Sequence, residues 1–226
     1  MKHSAQLSVV PLSAWKKHPT PPWSGAGAWK VQSTADSGWY ELTVGQNASL
    51  QAVDSQGRVV GNRGGELVLE IPGSYLQIPW GVIPGLVVSY PEHYVITSAS
   101  PLTLSLRYGE AGTAVLDAIV PEGIVTVIGA SDVAGVTDMV HISPDARRIS
   151  VQAGSNGGGR AVTTTRDEDA FGREVSIDNF SLAPGAVAEV QVEASGVVSL
   201  TSSLRQTSYG IKLRQAGAVS SAFMAD

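Results

Sequence analysis

Ala188-Glu189-Val190-Gln191-Val192-Glu193-Ala194 sets a small apolar side chain at every second position and a polar one between. That two-residue period is the mark of a strand with one dry face and one wet face. Ser195-Gly196 interrupts the run and Val198-Ser199-Leu200-Thr201 resumes it, so the pair reads as a hairpin. After a polar turn over 205–208, Tyr209, Ile211 and Leu213 alternate with Lys212 and Arg214. Residues 184–214 therefore predict a three-stranded meander with a single apolar face, which a second sheet must cover.

The same pattern extends outward. It predicts strands over 39–44, 48–53, 58–60, 66–71, 74–78, 86–90, 94–97, 102–108, 113–120 and 124–128, then over 136–142, 148–152, 161–166 and 174–177. Pro72-Gly73 and Pro121-Glu122-Gly123 read as further hairpin turns, the first with Leu67, Leu69 and Ile71 on one face. Gly154-Ser155-Asn156-Gly157-Gly158-Gly159 reads as a loop. No helical period persists beyond a turn or two. The expectation is an all-β chain of antiparallel β-sandwich or jelly-roll-like domains. Unequal spacing of the three hairpin candidates argues against a solenoid or propeller. The small, polar stretch 129–135 marks a boundary, giving an extended arm at 1–37, β-sandwich domains at 38–130 and 136–215, and a tail at 216–226.

The arm differs in chemistry from the rest. Residues 4–12 allow one short strand, with Leu7, Val9 and Leu12 apolar. Beyond it, Pro19, Pro21 and Pro22 fix φ and remove backbone donors, so this stretch is extended and Pro/Trp-containing, neither helix nor central strand. Trp15, Trp23 and Trp29 each carry apolar area worth a few kcal/mol when buried, about 1.5–3. They either fold back on the chain's own sheets, lie on a neighbouring subunit or stack on sugars. Trp15, Pro21, Pro22, Trp23 and Trp29 are the candidate partner-binding residues.

Composition narrows the chemistry. The 226 residues can bury a core without staples, and the absence of cysteine excludes disulfides and thiolate metal sites. A formal net charge of −5 with 15% charged residues offers no basic field for phosphate backbones, so nucleic acid is not an expected partner. The first residues, Met1-Lys2-His3-Ser4-Ala5-Gln6, lack the apolar core of a secretory signal, and no apolar run is long enough to span a bilayer. The expectation is a soluble chain with no membrane partner.

No catalytic set stands out. His3, His18, His93 and His141 are dispersed, without a second histidine or a carboxylate at metal-ligand spacing. Gly129-Ala130-Ser131-Asp132-Val133 lacks the closing glycine of a nucleophile elbow, and the 154–159 loop has no phosphate-reaching lysine. Asp167-Glu168-Asp169-Ala170-Phe171-Gly172 fills places one, three and six of a calcium loop, but Phe171 stands where an oxygen ligand belongs, so a solvated inter-strand loop is the better reading. Asn47-Ala48-Ser49 matches a glycosylation acceptor by chance. No catalytic residue, metal ligand or cofactor is assigned.

A cysteine-free, Gly/Ser/Val-rich β chain with a Pro/Trp arm over Trp15 to Trp29 resembles the accessory virion proteins of tailed bacteriophages, of capsid decoration, head-fibre or tail-adaptor type. The resemblance implies a non-enzymatic structural protein of the virion. It would assemble as a symmetric homo-oligomer and dock on capsid or tail proteins, with the arm as tether. The alternatives are a carbohydrate- or receptor-binding β module, for which tryptophans and tyrosines supply flat rings, and a β-fold hydrolase with paired carboxylates.

Overall fold

The computed structural model describes residues 3–7, 38–45, 47–77, 91–98, 100–168, 171–193, 197–203, 209–215 and 218–224. Among them there is no helix, and the strands form two antiparallel sheets packed against each other as a β-sandwich. Sheet A takes β1 (His3–Leu7), β3 (Ala48–Val53), β4 (Val59–Arg63), β5 (Glu66–Leu69), β8 (Leu102–Tyr108), β11 (Thr137–Ile142), β12 (Arg148–Gln152), β15 (Val187–Val192) and β16 (Val198–Ser202). Sheet B takes β2 (Trp39–Val44), β6 (Tyr75–Leu76), β7 (Glu92–Thr97), β9 (Gly112–Val120), β10 (Gly123–Ser131), β13 (Gly158–Glu168), β14 (Phe171–Leu182), β17 (Tyr209–Gln215) and β18 (Ala218–Met224).

Sheet A runs β1-β16-β15-β12-β11-β8-β3-β4-β5 and sheet B runs β18-β17-β14-β13-β10-β9-β2-β7-β6. From β9 onward the chain deals hairpins to the two sheets in turn: β9-β10 to B, β11-β12 to A, β13-β14 to B, β15-β16 to A, β17-β18 to B. Each new hairpin pairs its first strand with the last strand of the previous hairpin in its own sheet. Alternation in sequence then becomes alternation in space. Leu102, Leu104, Leu106 and Tyr108 of β8 and Ala114, Leu116, Ala118 and Val120 of β9 point inward from the two sheets into one buried cluster. Each fully buried leucine among them contributes about 1.5–3 kcal/mol.

Several expectations are met closely. The 39–44, 48–53, 102–108 and 148–152 strands carry the bounds read from their alternation. Val120 faces Gly123 across a two-residue turn at Pro121-Glu122, and Val192 faces Val198 across the Ser195-Gly196 interruption.

Others are corrected. Residues 184–214 do not form a meander: β15 and β16 pair in sheet A, whereas β17 crosses to sheet B and pairs with β14. Alternation reports which face is dry, not which sheet the strand joins. Pro72-Gly73 is a real turn, with Gly73 at φ 78° and the Ser74 N–H donating to the Ile71 carbonyl at 3.1 Å. It carries the chain from β5 in sheet A to β6 in sheet B, so it closes no hairpin. Leu67 and Leu69 sit on an edge strand and are 51% and 43% exposed, while Ile71 is buried.

The expected boundary at 129–135 lies where both sheets continue, because β8 pairs with β11 and β10 with β13 across it. Gly129 and Ser131 belong to β10, and the loop expected over 154–159 gives its last two glycines to β13. Within the expected tail, Ala218–Met224 is the outermost strand of sheet B. The expected 86–90 strand lies outside the described residues.

Candidate functional site

The densest polar constellation among the described residues is buried between the sheets. Asp138 sits in the inward register of β11 beside Val136, Val140 and Ile142; Arg160 sits in the inward register of β13 beside Val162. The Arg160 side chain is 0% exposed and that of Asp138 2%. Arg160 Nε donates to Asp138 Oδ2 at 2.7 Å and Nη2 to Oδ1 at 2.8 Å, a bidentate pair. Nη1 donates to the Ala130 and Gly159 carbonyls at 2.7 and 2.8 Å. Tyr108 Oη donates to Asp138 Oδ2 at 2.7 Å, and the Gly154 N–H to Oδ1 at 2.8 Å.

The guanidinium carbon stands 5.9 Å from the Tyr108 ring centroid, within cation–π range. Burial, reinforced by the Asp138 charge, pushes the Tyr108 phenol well above its usual range. Gly129 makes room for this phenol, because a Cβ there would overlap Tyr108 Oη.

This cluster is sealed. It joins strands β8 and β11 of sheet A to β10 and β13 of sheet B, and its acceptors are occupied, so it acts as a clamp rather than a site open to substrate. Sequence reasoning passed it over. The available signal was one acid in the apolar track of 136–142 and one arginine in the apolar track of 160–164.

The two outward faces are open. Across sheet B, His93, Thr43, Asp117, Thr126, Thr163 and Ser176 fall in register as one polar row. Its members pair in three groups: Thr43 Oγ1 lies 3.1 Å from His93 Nδ1, Thr126 Oγ1 donates to Asp117 Oδ1 at 2.6 Å, and Thr163 Oγ1 donates to Ser176 Oγ at 3.2 Å, which donates to Asp178 Oδ1 at 2.7 Å. His93 Nε2 also lies 2.8 Å from Glu41 Oε1, outside hydrogen-bonding alignment. An apolar pair flanks it on each side, Ile119 with Ile124 and Val115 with Ile128. Ile124 and Ile128 are 45% and 37% exposed.

No family model matches the chain, and neither a curated protein nor a solved structure matches it.

The outer face of sheet A carries a shallow recess of about 230 Å³, lined by Ser49, Leu50, Gln51, Asn62, Gly64, Ser105, Arg107 and Thr137. Its side chains are mainly neutral donors and acceptors with one guanidinium, a lining suited to hydroxyl groups.

The partner-binding candidates Trp15, Pro21, Pro22, Trp23 and Trp29 lie outside the described residues, as does His18. His93 and His141 stand on opposite sheets, and no group of three or more metal-ligating side chains occurs among the described residues. Asp167 faces Gly172, and Glu168 faces Phe171, across the β13-β14 ladder, with Asp169-Ala170 between them. The described ends of the acidic segment are therefore paired strand, and Asp169 and Ala170 lie outside the described residues.

Proposed function

We propose that this chain is a non-enzymatic structural protein of a virion, of the tailed-bacteriophage accessory type, which assembles as a symmetric homo-oligomer and docks on capsid or tail proteins. The observation that carries the reading is the outward face of sheet B. The row is hydrogen-bonded in three separate groups, and the partly exposed Ile124 and Ile128 beside it gain from being covered, by about 25 cal/mol for each Å² of apolar surface. Such a face favours docking against another protein. The Trp15 to Trp29 stretch adds further large apolar anchors in sequence.

The test has two arms. Antibody against the chain should label phage particles purified on a density gradient, and light scattering should return a mass above one chain. I124K/I128K places two charges on a half-exposed face, so it should keep the fold and abolish both association and labelling. A monomeric wild-type chain absent from particles would overturn the reading.

The recess beside Arg107 favours a second reading, a carbohydrate-binding module. Retention on immobilised glycans that Arg107→Ala abolishes and I124K/I128K leaves intact would put that reading first.

A further inference from the structure

We propose that β1 is exchanged between copies of this chain, so that His3–Leu7 of one subunit completes sheet A of a second by pairing with its β16. The proposal deepens the self-assembly in the reading above and rests on it. β1 is the outermost strand of sheet A and pairs with β16 alone, in the register His3 to Ser202 through Leu7 to Val198. Every other strand pairing in both sheets is independent of it. Without β1, β16 becomes an edge strand with a row of unpaired backbone groups beside inward-facing Val198 and Leu200, which are 1% and 4% exposed in the completed sheet. An edge of that kind recruits a strand.

The connection to β1 is far longer than its route requires. β2 lies against β3, and β3 is the seventh strand of sheet A counted from β1. Six strand spacings are roughly 29 Å, which about nine extended residues cover, whereas residues 8–38 separate Leu7 from Trp39. So long a tether gives a subunit's own β1 an effective concentration of only about millimolar order. The β1 of a neighbour held in the same assembly competes at comparable local concentration and makes identical contacts.

Two features of the connecting sequence tip the balance. Pro19, Pro21 and Pro22 restrict φ at three of four successive positions, which lowers the entropy lost when such a sequence is ordered on a second subunit. Trp15, Trp23 and Trp29 gain more at a subunit boundary, where a second surface is present to cover them. A chain that gives one strand and receives one closes a symmetric dimer or ring.

The absence of native cysteine makes the test clean. Ser4 and Thr201 are register partners, so their Cα atoms lie at a separation a disulfide can bridge. The full-length double variant S4C/T201C is oxidised and run without reductant, and the single variants S4C and T201C are mixed and treated alike. Exchange predicts a shift of the double variant to at least twice the monomer mass, and a disulfide-linked heterodimer in the mixture. An internally linked monomer would overturn the proposal, and so would the absence of any cross-link. Light scattering on the same sample separates the two claims: an oligomer with internal links removes strand exchange and leaves assembly standing, whereas a monomer removes both.

Discussion

Arg160 of sheet B holds Asp138 of sheet A through two hydrogen bonds of 2.7 and 2.8 Å, with both side chains shielded from water. Two desolvated charges repay their transfer from water only when geometry is good and remaining sites are filled. Here Tyr108 and Gly154 fill the remaining acceptor positions on Asp138. Arg160→Ala is expected to cost about 3–5 kcal/mol, because it leaves a buried carboxylate unpaired. The joint replacement Arg160→Met with Asp138→Leu should cost much less than the two single changes together. Urea melts of the four chains in a double-mutant cycle measure the difference.

Gly129 and Tyr108 form a second coupled pair. Gly129→Ala drives a methyl into Tyr108 Oη and should destabilise by about 1–3 kcal/mol, the usual range for overpacking. Tyr108→Phe alone loses the hydrogen bond to the buried Asp138 carboxylate, about 1.5–3 kcal/mol. With that oxygen removed the added methyl has more room, so the double variant should be more stable than the sum of the singles predicts. Thermal unfolding of all four chains tests this.

The turn between β3 and β4 sets an acid limit. Burial works against charge on Asp54, but donors from the Arg58 backbone, the Arg58 side chain and the Gln56 backbone outweigh it and hold the carboxyl below its ordinary range. A carboxyl depressed in the folded state adds stability above its unfolded pKa of about 3.9 and loses it as pH falls through the lower folded value. Asp54→Asn should therefore lower stability at neutral pH and flatten the loss below about pH 4. Urea midpoints against pH give the comparison.

Three tyrosines set the alkaline limit. Burial pushes Tyr40 up to about 12. Burial, then the hydrogen bond to Glu92, pushes Tyr94 higher still, and Tyr108 is also raised beyond its usual range. Their contribution is whole below the unfolded phenol value of about 10 and is lost as pH climbs toward the folded values. Phenolate absorbance should rise for the exposed tyrosines first, then jump together with loss of β circular dichroism. A smooth titration of every tyrosine near pH 10 would contradict the buried geometry.

Much of the sandwich was legible in the sequence because burial on one side imposes a strict two-residue rhythm, as Leu102, Leu104, Leu106 and Tyr108 demonstrate. The rhythm hides whatever breaks it. Val175 and Ile177 point inward on one parity, Phe180 and Leu182 on the other, and the register of β13 against β14 shifts between Arg160 and Val162. That irregularity breaks the alternation after Ile177, although the strand continues to Leu182. Sheet membership was invisible for a related reason, since neither Pro72-Gly73 nor the link from β16 to β17 carries a residue that distinguishes a return from a crossing. The buried clamp leaves no local signature, because Asp138 and Arg160 stand 22 positions apart and meet only across the gap between sheets.

Because hairpins are laid alternately on the two sheets, the body has a direction of growth. One further hairpin on each sheet would lengthen it by two strand spacings, about 10 Å, and leave its cross-section unchanged. Material added singly would leave one layer overhanging, its dry side bare. The number of hairpins after β8 therefore works as a ruler, and changes in length should be tolerated in matched pairs and resisted one at a time.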